Sequence, residues 1–224
     1  MKCGVIIPAY NVGDTLHTVL SKTQDYIPQK HIYVVDDGST DGTKDVLKKW
    51  DVVTIHLDRN QGKGTALRTG IQRALEDDLD ALITMDGDGQ HDPAEIPRLI
   101  RIMQENKSDA VFGIRRFHPE VMPIDRVLSN SLTSWIVSKV TGQNVPDSQC
   151  GFRLYSMNFL KNLAIESKRF EVETEMLIKA LSDGYLCSHC PITTTYHGGN
   201  SHIRRIPDTV RFCRLILRRL LRKN

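Results

Sequence analysis

Leu82-Ile83-Thr84-Met85-Asp86-Gly87-Asp88-Gly89-Gln90-His91 is an apolar run that ends in two carboxylates separated by one glycine. It reads as a buried strand that stops at the carboxyl edge of a sheet, where open α/β folds bind ligands. Asp86 and Asp88 are two residues apart, so on an extended backbone they point the same way. Gly87 and Gly89 allow a ligand to approach the main chain. Two hard oxygen donors on one side suit Mg²⁺ or Mn²⁺, which grips a diphosphate while keeping several waters.

Working outward, three earlier apolar runs repeat this pattern. Val5-Ile6-Ile7, stopped by Pro8, leads into Ala9-Tyr10-Asn11, and Asp14 or Thr15 can cap a helix to about Thr23. His31-Ile32-Tyr33-Val34-Val35 leads into Asp36-Asp37-Gly38-Ser39-Thr40-Asp41-Gly42, where Ser39, Thr40 or Asp41 caps the next helix. Val52 to Leu57 leads through Gly62-Lys63-Gly64 into a helix with Ala66, Leu67, Gly70, Ile71 and Ala74 on one face. Strands alternating with helices predict a doubly wound, mostly parallel sheet covered on both faces, with these polar loops meeting in one cleft. The P-loop spacing is absent and no G-x-G-x-x-G follows the first strand, which argues against ATPases and dehydrogenases.

Composition agrees with a globular domain: 224 residues, 40% hydrophobic and 25% charged. The net charge of +3 is unevenly spread. Residues 204–224 hold seven arginines and Lys223 against Asp208, which is +7 and leaves −4 for the rest. Five cysteines, an odd number, speak against a disulfide framework and for a reducing compartment. Cys187-Ser188-His189-Cys190 has metal-ligand spacing but no second pair, so structural thiols are the expectation. No apolar run is long enough to span a bilayer, and nucleic acid is not an expected partner.

In order and spacing, Pro8-Ala9-Tyr10-Asn11, Asp36-Asp37-Gly38-Ser39 with Asp41, Gly62-Lys63-Gly64 with Ala66, and Asp86-Gly87-Asp88-Gly89-Gln90-His91 resemble the motifs of family 2 glycosyltransferases. Within that family the chain looks closest to the polyprenyl-phosphate sugar transferases, the dolichol-phosphate mannose and glucose synthases. Asp147-Ser148-Gln149-Cys150-Gly151-Phe152-Arg153 resembles their D-x-x-x-G-F motif, more the glucose type. The resemblance implies a GT-A fold. It also implies an inverting, metal-dependent transfer of a sugar from a UDP- or GDP-sugar to a polyprenyl phosphate. Transfer to a sugar hydroxyl is the alternative.

By the same resemblance Pro8, Tyr10, Asn11, Asp36, Asp37, Gly38 and Lys63 serve the nucleotide-sugar. Asp86 and Asp88 hold the metal and diphosphate, and Gln90 lies beside the reacting sugar. Val12 stands where the family often has Glu. Arg115 and Arg126 are where relatives place the arginines that bind the acceptor phosphate, which suits a planar fork that keeps its charge. Arg153 is a further candidate. A family acid faces the site from the helix that begins near Phe170. Spacing leaves Glu171, Glu173 and Glu175 open, and alignment favours Glu173.

Residues 116–125 are expected to form a loop over the site, and Arg126 to open a helix to Val140. Pro191 to His197 reads as a strand. His197 is either a metal or diphosphate contact or a solvated loop histidine. The expected division is a catalytic domain over 1–206 and a basic amphipathic helix over 207–224. On that helix Arg211, Arg214, Arg218 and Arg222 face away from Cys213, Ile216, Leu217 and Leu220. Such a helix either docks its apolar stripe on the domain or lies in a membrane interface; the second predicts a peripheral protein on the cytoplasmic face of a membrane, with a membrane-embedded partner protein as a further candidate.

Overall fold

The computed structural model describes residues 1–115, 124–194 and 205–221. The first half is the predicted alternation: β1 (Cys3–Ala9), α1 (Gly13–Thr23), β2 (Ile32–Asp36), α2 (Thr43–Leu47), β3 (Val53–His56), α3 (Lys63–Ala74) and β4 (Ala81–Thr84). There follow α4 (Ile96–Asn106), β5 (Ala110–Arg115), α5 (Ile124–Thr141), β6 (Arg153–Ser156) and α6 (Met157–Lys161). The described chain ends with α7 (Val172–Ser182), β7 (Cys187–Ile192) and α8 (Arg205–Leu221).

Among the described residues the seven strands lie in the order β3-β2-β1-β4-β6-β5-β7. β6 alone runs antiparallel, between β4 and β5, so all the other strands end at one edge. The alternation of side chains sorts the core into two layers. Ile6, Tyr33, Val35 and Leu82 pack with Leu67 and Ile71 of α3 and Met176 and Leu177 of α7. Val5, Ile7, Val34 and Ile83 pack with Leu16 and Leu20 of α1 and Leu99 and Met103 of α4. Helices on both faces give the expected α/β class.

Several boundaries differ from expectation for identifiable reasons. β1 runs through Pro8. Ala9 accepts from the Asp37 amide on the β2 side, and Ile6 accepts from the Met85 amide on the β4 side. By that alternation the N–H that proline lacks falls on the β4 side, beyond Ile6, the last residue paired with β4. α1 starts at Gly13 after Val12, whose carbonyl accepts from Leu16, so Asp14 lies in the first turn rather than at the cap. α2 follows Gly42, and Asp41 supports its start by accepting from the Thr43 amide at 2.9 Å.

The last strand begins at Cys187, earlier than Pro191. Cys187 and Cys190 fall in different core layers on opposite sheet faces, so they do not form a metal clip. Burial pushes the Cys187 thiol up to about 12. α8 is not a free appendage, because Phe212 and Ile216 enter the core beside Val137 and Val140 of α5. Leu217, Leu220 and Leu221 of the same helix stay exposed, so only part of its apolar face is committed to the domain. Among the described residues no helix is long and apolar enough to cross a membrane.

Candidate active site

The residues that follow β1, β2, β3 and β4 converge at the carboxyl edge. β4 ends at Thr84, and Asp86 and Asp88 follow in the turn it opens. Lys63, the first residue of α3, places its Nζ 2.5 Å from Asp86 Oδ1 and also pairs with Glu173 of α7. His91 Nε2 lies 3.6 Å from Asp86 Oδ2, and its ring stacks on Phe152 with centroids 5.4 Å apart. Gly151 packs closely here, since a Cβ would lie 2.8 Å from Asp86 Oδ2 and displace the Asp86–Lys63 pair.

Burial alone would raise the Asp86 carboxyl, but the Lys63 ammonium and His91 outweigh it and hold Asp86 well below the usual carboxylate range. Asp88 goes the other way. Burial and the charge of Asp86 both push its carboxyl up, against the hydrogen bond from the Gln90 amide. Gln90 clips Asp88 through its backbone N at 3.0 Å and its side-chain Nε2 at 2.8 Å. The Thr15 hydroxyl steadies the same turn by donating to the Gly87 carbonyl at 2.7 Å.

The paired carboxylates suit a hard divalent cation, which would relieve their repulsion. Among the described residues no group of three or more His, Cys, Asp or Glu is placed to hold an ion unaided. A magnesium-type ion bound through Asp86 and Asp88 would complete its shell with ligand oxygens and water.

Asp36 and Asp37 build the neighbouring loops. Asp36 accepts from the Ser39 amide at 2.9 Å and lies 3.0 Å from His56 Nδ1. Asp37 accepts from the Gln61 and Gly62 amides at 2.7 and 2.8 Å. Both are buried, and the protein hydrogen-bonds their oxygens, so each carboxylate braces the loops that line the cleft. Pro8 and Tyr10 are half-buried at its floor. Asn11 adopts the left-handed region (φ 53°) and accepts from the Thr40 amide at 2.8 Å. Gly38, with φ 70°, lets this loop press on Arg59, where a Cβ would meet the backbone at 2.5 Å. Beside it, Arg59, Arg68, Lys168 and Arg169 line a cleft of about 450 Å³.

The Gly62-Lys63-Gly64 turn is not a phosphate cradle, because the Gly64 and Thr65 amides donate to the Lys168 carbonyl. A Cβ on Gly64 would lie 2.3 Å from the Ser167 carbonyl oxygen, which is main chain and cannot swing aside. Gly64→Ala is therefore expected to cost about 1–3 kcal/mol and to lower Tm by roughly 5 °C, read by thermal melting.

The arginines divide sharply. Arg115, at the end of β5, forks onto Asp147 at 2.8 and 3.0 Å and holds that carboxyl, despite burial, below its usual range. Arg153 is fully buried and donates to the carbonyls of Cys150, Ser148 and Glu173, which corrects its reading as an acceptor contact. Arg126 lies in the first turn of α5, half-buried. Of the three candidate acids at the start of α7, Glu173 reaches Lys63. Glu175 instead accepts from the Glu166 and Ser167 amides, and Glu171 precedes the helix. His197 and residues 116–123 of the expected loop lie outside the described residues.

Sequence reasoning passed over His56, Asp147 and His91 as working parts. His91 directly follows the acidic motif and Asp147 opens the second motif, so position in the motif was the available signal.

The model for glycosyl transferase family 2 matches residues 4–164. The chain is 32% identical over 214 residues to the UDP-N-acetylglucosamine–dolichyl-phosphate N-acetylglucosaminyltransferase of Methanococcus voltae, covering 86% of this chain and 85% of that one. It is also 32% identical over 205 residues to the undecaprenyl-phosphate mannosyltransferase of Micrococcus luteus, covering 86% and 83%. Among solved structures, glucosyl-3-phosphoglycerate synthase from Mycobacterium tuberculosis, in complex with UDP, superposes with a TM-score of 0.79. It is 17% identical and covers 97% of this chain and 79% of that one, a likeness that shows the GT-A fold. With the family model spanning well over half of its length, this chain belongs to glycosyltransferase family 2 and is a glycosyltransferase.

Proposed function

We propose that the protein moves a sugar from a nucleoside diphosphate sugar to a polyprenyl phosphate at a membrane surface, with inversion at the anomeric carbon. The observation that carries this reading is the Asp86–Asp88 pair, set at the carboxyl edge of β4 and braced by Lys63, Gln90 and His91. The prenyl-phosphate acceptors in the names of the two relatives support the acceptor class. A UDP-sugar is the first donor to test, since one of those names carries UDP.

A divalent cation on Asp86 and Asp88 would supply charge neutralisation for the departing diphosphate. The chain's own groups do the rest by position and charge. Lys63 fixes Asp86, and Gln90 fixes Asp88 next to where the sugar would lie. The acceptor phosphate oxygen attacks the anomeric carbon as the bond to the diphosphate oxygen breaks on the opposite face. A phosphate monoester is already an anion near neutral pH, so the attack needs no strong base. Transfer to a hydroxyl would need one. Glu173, the carboxylate within reach on α7, is instead paired with Lys63.

Two anions must meet in this reaction, which asks for a cation near the acceptor. With Arg115 held on Asp147 and Arg153 in the core, Arg126 is the proposed acceptor contact. Arg126→Ala is expected to raise the apparent KM for prenyl phosphate about tenfold and to leave nucleotide affinity within a few-fold. Arg126→Lys should rescue only in part, because a point charge lacks the planar fork. Steady-state kinetics with each substrate varied in turn measure both. On α8, Arg214 and Arg218 remain solvent-exposed and are proposed to draw the protein to anionic lipid. The deciding assay measures release of nucleoside diphosphate from UDP-sugars with Mn²⁺, with and without a short prenyl phosphate. Release that ignores the prenyl phosphate overturns this acceptor.

A further inference from the structure

α5 exposes a row of large apolar side chains. Ile124, Leu128, Leu132 and Trp135 are 65, 66, 58 and 58% exposed, although the same helix buries Asn130, Ser134, Val137 and Val140 against the domain. At about 100° and 1.5 Å per residue, the four exposed residues fall within an arc of about 80° and along about 17 Å of helix. Such a row exceeds the singly scattered exposed hydrophobics that are ordinary on a protein surface. The one charged side chain in the arc is Lys139, whose Nζ lies 5.9 Å from the centre of the Trp135 ring.

We infer that this face of α5 is the surface that enters the interfacial layer of an anionic lipid bilayer. The chemistry of the row selects that occupant. Leucine and isoleucine gain from the acyl boundary, and tryptophan favours the headgroup level, where its ring is sheltered and its N–H stays wet. Lys139 adds attraction to anionic headgroups, and its stem can lie along the apolar surface while the charge stays in water. An amphipathic helix of 18 residues can lie in the plane of the interface. A second copy of the chain fits less well, since a strip about 17 Å by 10 Å falls far short of the roughly 800 Å² per partner of a stable dimer.

The position of the helix agrees with the proposed chemistry, and the inference rests on that reading. α5 follows β5, which ends at the site edge, and packs against α7, the helix that brings Glu173 to Lys63. A bilayer beneath the exposed face of α5 would bring prenyl phosphate headgroups to the edge of the site while their chains stay in lipid, with Arg126 on the face of the helix turned toward the domain. It also divides the labour: α8 turns Phe212 and Ile216 into the core and leaves Leu217 and Leu220 exposed among arginines, so α8 supplies the general attraction, while the continuous apolar row with its tryptophan belongs to α5.

The chain has two tryptophans, Trp50 and Trp135, so Trp50→Phe makes Trp135 the sole reporter. In that background, vesicles of phosphatidylcholine with phosphatidylglycerol should shift the emission to shorter wavelength, and bromine-labelled lipids should quench it. Leu132→Glu, a change at an exposed position that should leave Tm unaltered, should weaken vesicle partitioning by at least tenfold. It should leave turnover on a short, soluble prenyl phosphate unchanged. Vesicle binding with no change at Trp135, or binding unaffected by Leu132→Glu, overturns the inference. So does a concentration-dependent dimer by light scattering that Leu132→Glu dissolves. Absence of transfer to prenyl phosphates of any length defeats the acceptor reading instead, and the Trp135 signal reads membrane insertion independently of it.

Discussion

Asp88→Asn is expected to lower sugar transfer by roughly 100- to 1,000-fold, the scale set by removing one preorganised charge-stabilising group, with the fold intact. The substitution keeps the shape of the side chain and removes one negative charge. The remaining oxygen can still accept from the Gln90 amide, and the Gln90 side chain can turn its carbonyl toward the new amide. Asp88 carries the carboxyl that burial and Asp86 push upward, so its charge is the unfavourable one in the cation-free protein. Its removal should leave the cation-free Tm unchanged or slightly higher, the signature of a site kept at some cost to stability. Mn²⁺-dependent stabilisation by a nucleotide sugar should be lost in the same variant, because bound ligand stabilises the native state by mass action. Thermal melting with and without Mn²⁺ and UDP-sugar, alongside turnover, separates these effects. Wild-type turnover in Asp88→Asn would remove the cation from the proposed chemistry.

Arg153→Met carries the largest expected loss of stability. The guanidinium is fully buried and bonds three main-chain carbonyls, those of Cys150 at 2.6 Å, Glu173 at 2.5 Å and Ser148 at 2.9 Å. It also sits 5.3 Å from the centre of the Phe112 ring. Methionine fills part of the volume and removes those donors, leaving the Ser148 carbonyl only the 3.4 Å contact from the Thr174 hydroxyl, at about 1–3 kcal/mol for each buried group left unsatisfied. Because the surroundings relax, a total of about 3–5 kcal/mol is expected, near the cost of breaking a buried charged contact. For a chain of this size that is a Tm decrease of roughly 10–15 °C. Arg153 ties the segment carrying Asp147 and Gly151 to the helix carrying Glu173, so activity at permissive temperature should fall as well. A melting curve within a degree or two of wild type would show that Arg153 does not hold these elements together.

The two arginines of the sheet show where reading along the chain stops. In sequence, Arg115 and Arg153 are both candidate phosphate contacts, one closing an apolar strand run and one directly following the D-x-x-x-G-F motif. Tertiary structure separates them from a phosphate-binding role by supplying partners far along the chain. Asp147 lies 32 residues from Arg115, and the Glu173 carbonyl lies 20 residues from Arg153. The adjacent acids are similar: the His56 ring, 20 residues away, meets Asp36, and loop amides 24 and 25 residues away donate to Asp37.

What the sequence determined by itself is the part governed by local periodicity. Buried parallel strands read as short apolar runs, helices as amphipathic repeats, and their alternation dictates that β1 to β4 end on one edge. The carboxylate pair two residues apart after β4 needed no distant information either. What only the tertiary structure decided depends on contacts between segments far apart in the chain. The antiparallel β6 is four residues long and begins with an arginine, so its own pattern is too short to announce a strand, and its neighbours β4 and β5 supply the ladder. The destination of α8 was open for the same reason. An amphipathic helix carries the same pattern whether its stripe meets lipid or protein, and the core around Val137 and Val140 claimed Phe212 and Ile216. On α5 that pattern runs the other way round, with polar Asn130 and Ser134 inward and leucines outward, because the space available beneath a helix is set by the rest of the fold.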